Sequence, residues 1–194
     1  MRRFIATFAA LIVCTAPGAL AQSGLAIKGG LSFGDVTNRG ALPGNLSTRT
    51  GFAAGIALPL LGGDPLSLNV EGLYAQRGVG SSSDTSSRRL DYIDVPAYLR
   101  FTLPLPALAP FIYAGPQISF ETKCRAGASA CPDDGRPKTT YAGVLGAGVR
   151  LGSASGFSLE GRYIYGLTDL KLSTVTTSSS YKTRSFLILM GFGF

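Results

Sequence analysis

The feature that most constrains this chain is a period-two alternation of apolar and polar side chains. It recurs in eight segments, in which large apolar residues occupy every second position. Successive side chains of a β-strand point to opposite faces, whereas an amphipathic helix would need an apolar period near 3.6 residues. The pattern therefore predicts eight strands, at 25–33, 52–58, 66–77, 92–103, 111–120, 140–151, 157–168 and 186–194.

Charged residues within these segments are confined to the face opposite the apolar positions. They are Lys28, Glu71, Arg77, Asp94, Arg100, Arg150, Glu160 and Arg162. A soluble β-sandwich also alternates in this way, so the pattern alone leaves both a sandwich and a membrane barrel open.

The connections between the segments alternate in length. The long ones are 35–49, 78–89, 121–138 and 169–184, and the short ones between them are 59–65, 104–110 and 152–156. Long loops at one end and short turns at the other are typical of an up-and-down outer-membrane barrel. A Greek-key sandwich gives no reason for this order, so the loop lengths favour the barrel.

Aromatic residues of the apolar face gather at the strand ends. Those beside the long loops are Phe33, Phe52, Tyr74, Phe120, Tyr141, Tyr165 and Phe186, and those near the short turns are Phe101, Phe157, Phe192 and Phe194. Two aromatic rings that bound an aliphatic band are typical of the two membrane interfaces. The sequence thus predicts an all-β fold, an eight-stranded antiparallel up-and-down transmembrane β-barrel with short periplasmic turns and long extracellular loops.

The N-terminus has the organisation of a secretory signal peptide. Arg2 and Arg3 precede an apolar stretch at 4–13, and Ala19-Leu20-Ala21 forms an A-x-A cleavage site. We predict a cleaved signal at 1–21 and a single barrel domain at 22–194.

Two cysteines, Cys124 and Cys131, remain after this cleavage and lie in the third long connection. A close pair in an exported chain favours a disulfide. A zinc site would need about four ligands, and the chain has no histidine and no further cysteine in the mature part. We predict a Cys124–Cys131 disulfide and no metal site.

Several stretches resemble the PorT-like outer membrane protein β-barrel domain family. They are LDYIDVPAYLRF (90–101), PFIYAGPQISF (110–120), LEGRYIYGLTDL (159–170) and the terminal FLILMGFGF. The resemblance implies an eight-stranded barrel in a Gram-negative-type outer membrane. It also implies a C-terminal signal for the outer-membrane assembly machinery, carried by Phe186, Ile188, Met190, Phe192 and Phe194. One member of that family belongs to a secretion apparatus.

Catalytic motifs are absent from the sequence. The lack of histidine excludes Ser-His catalysis. GSASG at 152–156 has Ala154 where a nucleophile elbow needs serine, and GAGVRLG at 146–152 has Leu151 in place of the third glycine of a dinucleotide fingerprint. We predict no enzymatic activity and no cofactor.

The inward charges predict a closed lumen, because eight strands leave an interior just wide enough for side chains. We expect a hydrogen-bonded ion network in which Glu71, Asp94 and Glu160 interleave with Lys28, Arg77, Arg100 and Arg162. Five basic residues against three acidic ones leave at least two cations without a carboxylate partner. These should lie towards a barrel end, where Arg77 and Arg150 are close to strand ends. The alternative is that the basic side chains line a path for anions.

The leading functional hypothesis is a non-enzymatic outer-membrane barrel with a structural or surface-interaction role. The alternatives are a narrow pore for small solutes or ions, and a barrel subunit of an envelope or secretion assembly. Two interpretations stay open for the basic loop residues: they are simply solvated, as most surface charges are, or they pair with lipopolysaccharide phosphates. These residues are Arg88, Arg89, Lys123, Arg125, Arg136 and Lys138. We expect outer-membrane lipid and lipopolysaccharide as partners, the assembly machinery during insertion, and no nucleic acid.

Overall fold

A computed structural model describes residues 24–36, 46–81, 88–126, 129–131, 137–151, 156–168 and 182–193. The predicted signal peptide at 1–21, Arg136 and Phe194 lie outside the described residues. Within the described residues, no helix is long and apolar enough to cross a membrane.

The described chain forms nine strands. They are β1 (Ala26–Val36), β2 (Leu46–Gly63), β3 (Leu66–Ser81), β4 (Arg88–Thr102), β5 (Leu108–Ala126), β6 (Ser129–Ala130), β7 (Thr139–Leu151), β8 (Phe157–Gly166) and β9 (Thr183–Gly193). The two-residue β6 pairs only with the outer end of β5, and the other eight strands form the barrel wall.

The eight long strands close into a barrel. Each pairs antiparallel with its neighbours along the chain, and β1 pairs with β9 from Ala26↔Gly193 to Val36↔Thr183. This pairing leaves no open sheet edge, as lipid requires, because an unpaired backbone group in hydrocarbon costs several kcal/mol. The predicted eight-stranded antiparallel barrel is confirmed, and the apolar C-terminal strand is the one that closes it.

The two faces of the wall carry the alternation seen in the sequence. Leu145 and Met190 point outward with 60% and 55% of their surface exposed, whereas Leu73 and Leu187 point inward with 1% exposed. Outward apolar residues cover every barrel strand and form a continuous apolar surface far larger than a soluble monomer exposes. This distribution excludes the soluble sandwich and fits a barrel that faces lipid.

Several strands extend further on the long-loop side than the apolar pattern predicts. β2 begins at Leu46 rather than 52, and β5 continues to Ala126 rather than 120. Beyond the aromatic ring the outward positions contact water instead of lipid, so the backbone ladder continues while the apolar alternation stops. The wall therefore rises above the membrane on this side.

Candidate functional site: the closed lumen

Four charged side chains meet at the centre of the lumen, and we call them the central ion network: Lys28 of β1, Glu71 of β3, and Glu160 and Arg162 of β8. Lys28 Nζ lies 2.6 Å from Glu71 Oε1 and 2.8 Å from Glu160 Oε2. Arg162 Nη2 lies 2.6 Å from Glu71 Oε2 and 2.8 Å from Glu160 Oε1. Each cation bridges both carboxylates, so two positive and two negative charges balance inside the barrel.

Two tyrosines complete the hydrogen bonding of this network. The Tyr98 hydroxyl donates to Glu71 Oε1, and the Tyr113 hydroxyl donates to Glu160 Oε1 at 3.1 Å. Arg162 Nε donates to the Tyr113 oxygen at 2.8 Å, and the two tyrosine rings stand 4.5 Å apart. All four carboxylate oxygens are thereby satisfied, which buried charges require.

These tyrosines were not among the residues that the sequence assigned to the network. The alternation in the sequence places both tyrosines on the lumen face. It does not show how far along the barrel axis each hydroxyl lies. The β4–β5 register decides it, since it places Arg100 opposite Tyr113 and Leu99 opposite Ala114. Tyr98 and Tyr113 consequently lie at neighbouring levels beside Glu71.

Inward glycines of β7 make room for the aromatic rings. A Cβ atom on Gly146 would lie 2.1 Å from Tyr113 Cζ, and one on Gly148 would lie 2.6 Å from Phe111 Cζ. Both rings therefore rest directly against the β7 backbone. The position of the Tyr113 hydroxyl in the network depends on this close approach.

On the long-loop side of the network, Arg77 pairs with Asp94. The Arg77 guanidinium also lies 5.4 Å from the Tyr92 ring centre, and Gln117 donates to Ser119 Oγ at 2.9 Å. The expectation that Arg77 lacks a carboxylate partner is wrong. β3 and β4 are neighbouring strands, and the long arginine side chain spans the offset between Arg77 and Asp94.

On the short-turn side, Arg150 pairs with Asp64, so the same expectation for Arg150 is also wrong. Asp64 sits in the β2–β3 turn, outside the alternating segments, and was not counted among the inward groups. Within the described residues, the inward cation without a carboxylate partner is Arg100, so its predicted place in the ion network is wrong. Its guanidinium lies 3.6 Å from the Phe111 ring centre, and its Nε and Nη2 are buried without a hydrogen bond.

Above the outer aromatic ring, basic side chains gather on the outward face. Arg89 and Arg125 are directly opposed across β4 and β5, next to the pair Asp91 and Lys123. Arg89 Nε donates to Asp91 Oδ1 at 2.9 Å. We call Arg89, Lys123 and Arg125 the outer basic cluster; it carries three positive charges beside one carboxylate.

A second basic pair lies beyond β8 on the same outer side of the barrel. The Lys182 Nζ and the Arg184 guanidinium stand 5.7 Å and 5.6 Å from the Tyr165 ring centre. Tyr165 belongs to the outer aromatic ring predicted from the sequence, so these cations lie at its edge.

The two cysteines are brought together beside the outer basic cluster. The Cα atoms of Cys124 and Cys131 are 5.4 Å apart, a separation that a disulfide spans, and the Cys131 amide donates to the Cys124 carbonyl at 3.2 Å. The disulfide itself stays a prediction.

The remaining site residues predicted from the sequence are those of the C-terminal signal. Phe186, Ile188, Met190 and Phe192 all face outward on β9 and are exposed on the lipid side. Their role as an assembly signal stays a prediction.

Comparison with known proteins identifies the family to which this architecture belongs. The profile of the outer membrane protein beta-barrel domain family matches residues 20–172. The chain belongs to this family. As an outer membrane protein beta-barrel domain with a closed, lipid-facing wall, the protein is located in the outer membrane of a Gram-negative-type bacterium. The narrower PorT-like assignment stays a prediction.

Solved structures of the same fold are distant in sequence. Neisserial surface protein A (NspA) is similar with a TM-score of 0.56 at 13% identity, over 89% of this chain and 98% of that one. Ail, the attachment invasion locus protein of Yersinia pestis, solved in complex with the heparin analogue sucrose octasulfate, has a TM-score of 0.50 at 17% identity, over 89% and 99%.

The outer membrane enzyme PagL has a TM-score of 0.49 at 12% identity, over 86% of this chain and 98% of that one. No curated protein matches the chain significantly. The likenesses to NspA and Ail show the fold alone.

Proposed function

We propose that this protein is a non-enzymatic outer-membrane barrel with a closed bore, which presents its outer strand ends and long loops at the cell surface. The observation that carries the proposal is the central ion network. Lys28, Glu71, Glu160 and Arg162 are each at most 4% exposed, and they fill the bore at mid-height.

A closed bore follows from the contacts of the network. The four charges and two tyrosine hydroxyls use one another as partners, so a solute crossing the barrel would have to separate buried ion pairs. Breaking such a pair costs roughly 3–5 kcal/mol because a charge is left uncompensated. The network thus favours a structural or surface role over the alternative of a narrow pore.

The absence of histidine from the whole sequence supports a non-enzymatic role, since the serine-based hydrolysis found in some barrels uses a histidine base. The buried carboxylates are not placed for catalysis either. Glu71 and Glu160 are held by two cations and two hydroxyls at the blocked centre of the bore, out of reach of a substrate.

We propose lipopolysaccharide phosphates as the ligands of the outer basic cluster. Arg89 and Arg125 are opposed across a strand pair, where like charges repel. Asp91 compensates Arg89, which leaves Arg125 and Lys123 to be neutralised by an anion from outside the protein. The cluster lies on the outward face, just above the aromatic ring, where lipid phosphates of the outer leaflet are located.

This partner is tested by measuring lipopolysaccharide retained on the purified protein. The double variant Arg89→Gln/Arg125→Gln is expected to retain less, because arginine pairs bidentately with phosphate and glutamine carries no charge. Arg150→Gln, at the opposite end of the barrel, removes one arginine charge outside the cluster and serves as the control. Equal retention by both variants would contradict the assignment.

Surface presentation is tested with a membrane-impermeant maleimide on intact cells. A cysteine introduced as Lys138→Cys, on the long-loop side, should be labelled, whereas Ala107→Cys, in a short connection, should not; both native side chains are exposed. Cys124 and Cys131 should react only after reduction, as the proposed disulfide requires. Labelling of Ala107→Cys alone would reverse the orientation, and labelling of the native cysteines without reduction would exclude the disulfide.

The remaining parts of the proposal concern assembly. We infer that the outward apolar residues of β9 are read by the outer-membrane assembly machinery and that residues 1–21 direct export. Pulse-labelled cells expressing a Phe192→Ser/Phe194→Ser variant should accumulate unfolded protein in the periplasm. Unchanged insertion would argue against this role of the C-terminus.

A further inference from the structure

A cavity of about 380 Å³ opens at the short-turn end of the lumen, below the central ion network. Its polar lining comes from Lys28, Asn69, Arg100, Arg150 and Ser158. Strand ends and short connections form its rim, including Pro59 and Gly156, so it faces the periplasm. We call this space the periplasmic vestibule.

The lining of the vestibule is cationic. Among the described residues, three basic side chains and no carboxylate line it. The Lys28 charge is compensated by Glu71 and Glu160. Arg150 shares its charge with Asp64, whose side chain is 34% exposed. The described side chains at this end of the bore therefore carry a net positive charge.

Arg100 supplies that charge. Its guanidinium packs on the Phe111 ring at 3.6 Å, and no carboxylate of the described residues lies within salt-bridge distance of it. Nε and Nη2, which form one edge of the guanidinium fork, are buried and have no hydrogen-bond partner. The residue also lines the vestibule, so a rotation of its side chain towards the cavity would expose this edge to an anion. The gain is larger than for an exposed arginine, because buried donors without an acceptor are costly.

We propose that the periplasmic vestibule binds a phosphate-class oxyanion, with Arg100 as the principal ligand and Arg150 as the second. A guanidinium edge matches two oxygens of a phosphate, and the neighbouring Ser158 hydroxyl and Asn69 amide add neutral polar groups to the same lining. The volume admits a small phosphorylated solute or a lipid headgroup. The central ion network closes the inner end, so the ligand enters and leaves from the periplasm without crossing the membrane.

The proposal makes opposite predictions for two substitutions. Arg100→Gln is expected to weaken phosphate binding at least about tenfold, the loss expected for one charge-assisted hydrogen bond. Asp64→Asn is expected to strengthen binding, because Arg150 loses its competing carboxylate. A gain of affinity cannot result from misfolding. Arg184→Gln, on the outer side of the barrel, is the charge-matched control and should bind like the wild type.

The experiment has two arms. In the first, the protein in a neutral detergent is titrated calorimetrically with inorganic phosphate against chloride at equal ionic strength. In the second, phosphatidylglycerol is added to the micelles and bound lipid is counted by native mass spectrometry. Saturable phosphate binding identifies a soluble ligand, and binding in the lipid arm alone identifies a headgroup. No Arg100-dependent binding in either arm, or an equal loss in Arg184→Gln, would overturn the proposal.

Discussion

At the residue scale, the centre of the lumen is organised by the satisfaction of buried charge. Glu71 accepts from Lys28, Arg162 and Tyr98, and Glu160 accepts from the same two cations and from Tyr113. Because every carboxylate oxygen has a donor, the network holds charges in a nearly dry interior without leaving an unpaired oxygen among them.

Gly146→Ala tests the close packing that positions Tyr113. The added methyl would lie 2.1 Å from Tyr113 Cζ, so the ring must shift and its bonds to Glu160 and Arg162 are lost. We expect destabilisation of about 1.5–3 kcal/mol, the contribution of hydrogen bonds to charged groups, in reversible folding into lipid vesicles.

Gly143→Ala is the matched control on the same strand. A Cβ there meets no atom within 4 Å, so we expect a neutral effect or a slight gain, as Gly→Ala gives where the backbone allows it. Equal destabilisation by both substitutions would show that the effect belongs to β7 in general and not to Tyr113.

The period-two alternation predicted which charged residues point into the lumen. Six of the eight are buried there, and Arg100 and Arg150 line the cavity at its short-turn end. The alternation did not predict which residues pair. Asp64 lies in a turn with no alternation, yet it reaches Arg150, which leaves Arg100 as the cation without a carboxylate. Partner choice depends on the height of each residue in the barrel and on side-chain reach, which a period-two pattern does not contain.

At the element scale, each strand combines a lipid-facing row and a lumen-facing row. The alternating apolar residues predicted the number and order of the barrel strands from the sequence. They did not predict the outer ends of these strands, because β2 and β5 continue past the aromatic ring, β5 with the polar residues Lys123 and Arg125. Ladder hydrogen bonds hold these extensions, and such bonds leave no hydrophobic pattern in the sequence.

The prolines of β4 and β5 are a second feature whose effect on the strands is not evident from the sequence. Pro96 and Pro116 lie within strands, although proline removes a ladder donor and is usually confined to edge strands or bulges. The register runs unshifted past both, and the β4–β5 shift lies elsewhere, between Asp91 and Tyr92. Pro96 points into the lumen and Pro116 points to lipid.

The lipid-facing row of β7 is tested by placing an arginine at two depths. Leu145→Arg, near mid-strand, is expected to cost about 2–4 kcal/mol of folding free energy in vesicles, because a charge near the bilayer midplane is poorly solvated. Thr139→Arg, on the same face beyond Tyr141, is expected to cost about 0–1 kcal/mol. Similar losses at the two positions would contradict the assigned membrane boundary.

At the scale of the whole molecule, the barrel has three levels along its axis. The outer level carries basic residues and strand extensions, the middle level is closed by the central ion network, and the inner level holds the periplasmic vestibule. Each aqueous end thus has its own charged surface, and the closed middle separates them. This arrangement favours interactions on either side of the membrane over transport through it.

Planar-bilayer recording of the purified protein tests the closed bore most directly. The account predicts no stable conductance steps for the wild type, because Lys28, Glu71, Glu160 and Arg162 block the lumen with paired charges. Arg100→Ala should be equally silent, since Arg100 lies below the network. Stable, ion-selective steps in the wild type that change in Arg100→Ala would contradict the account and make the protein a channel.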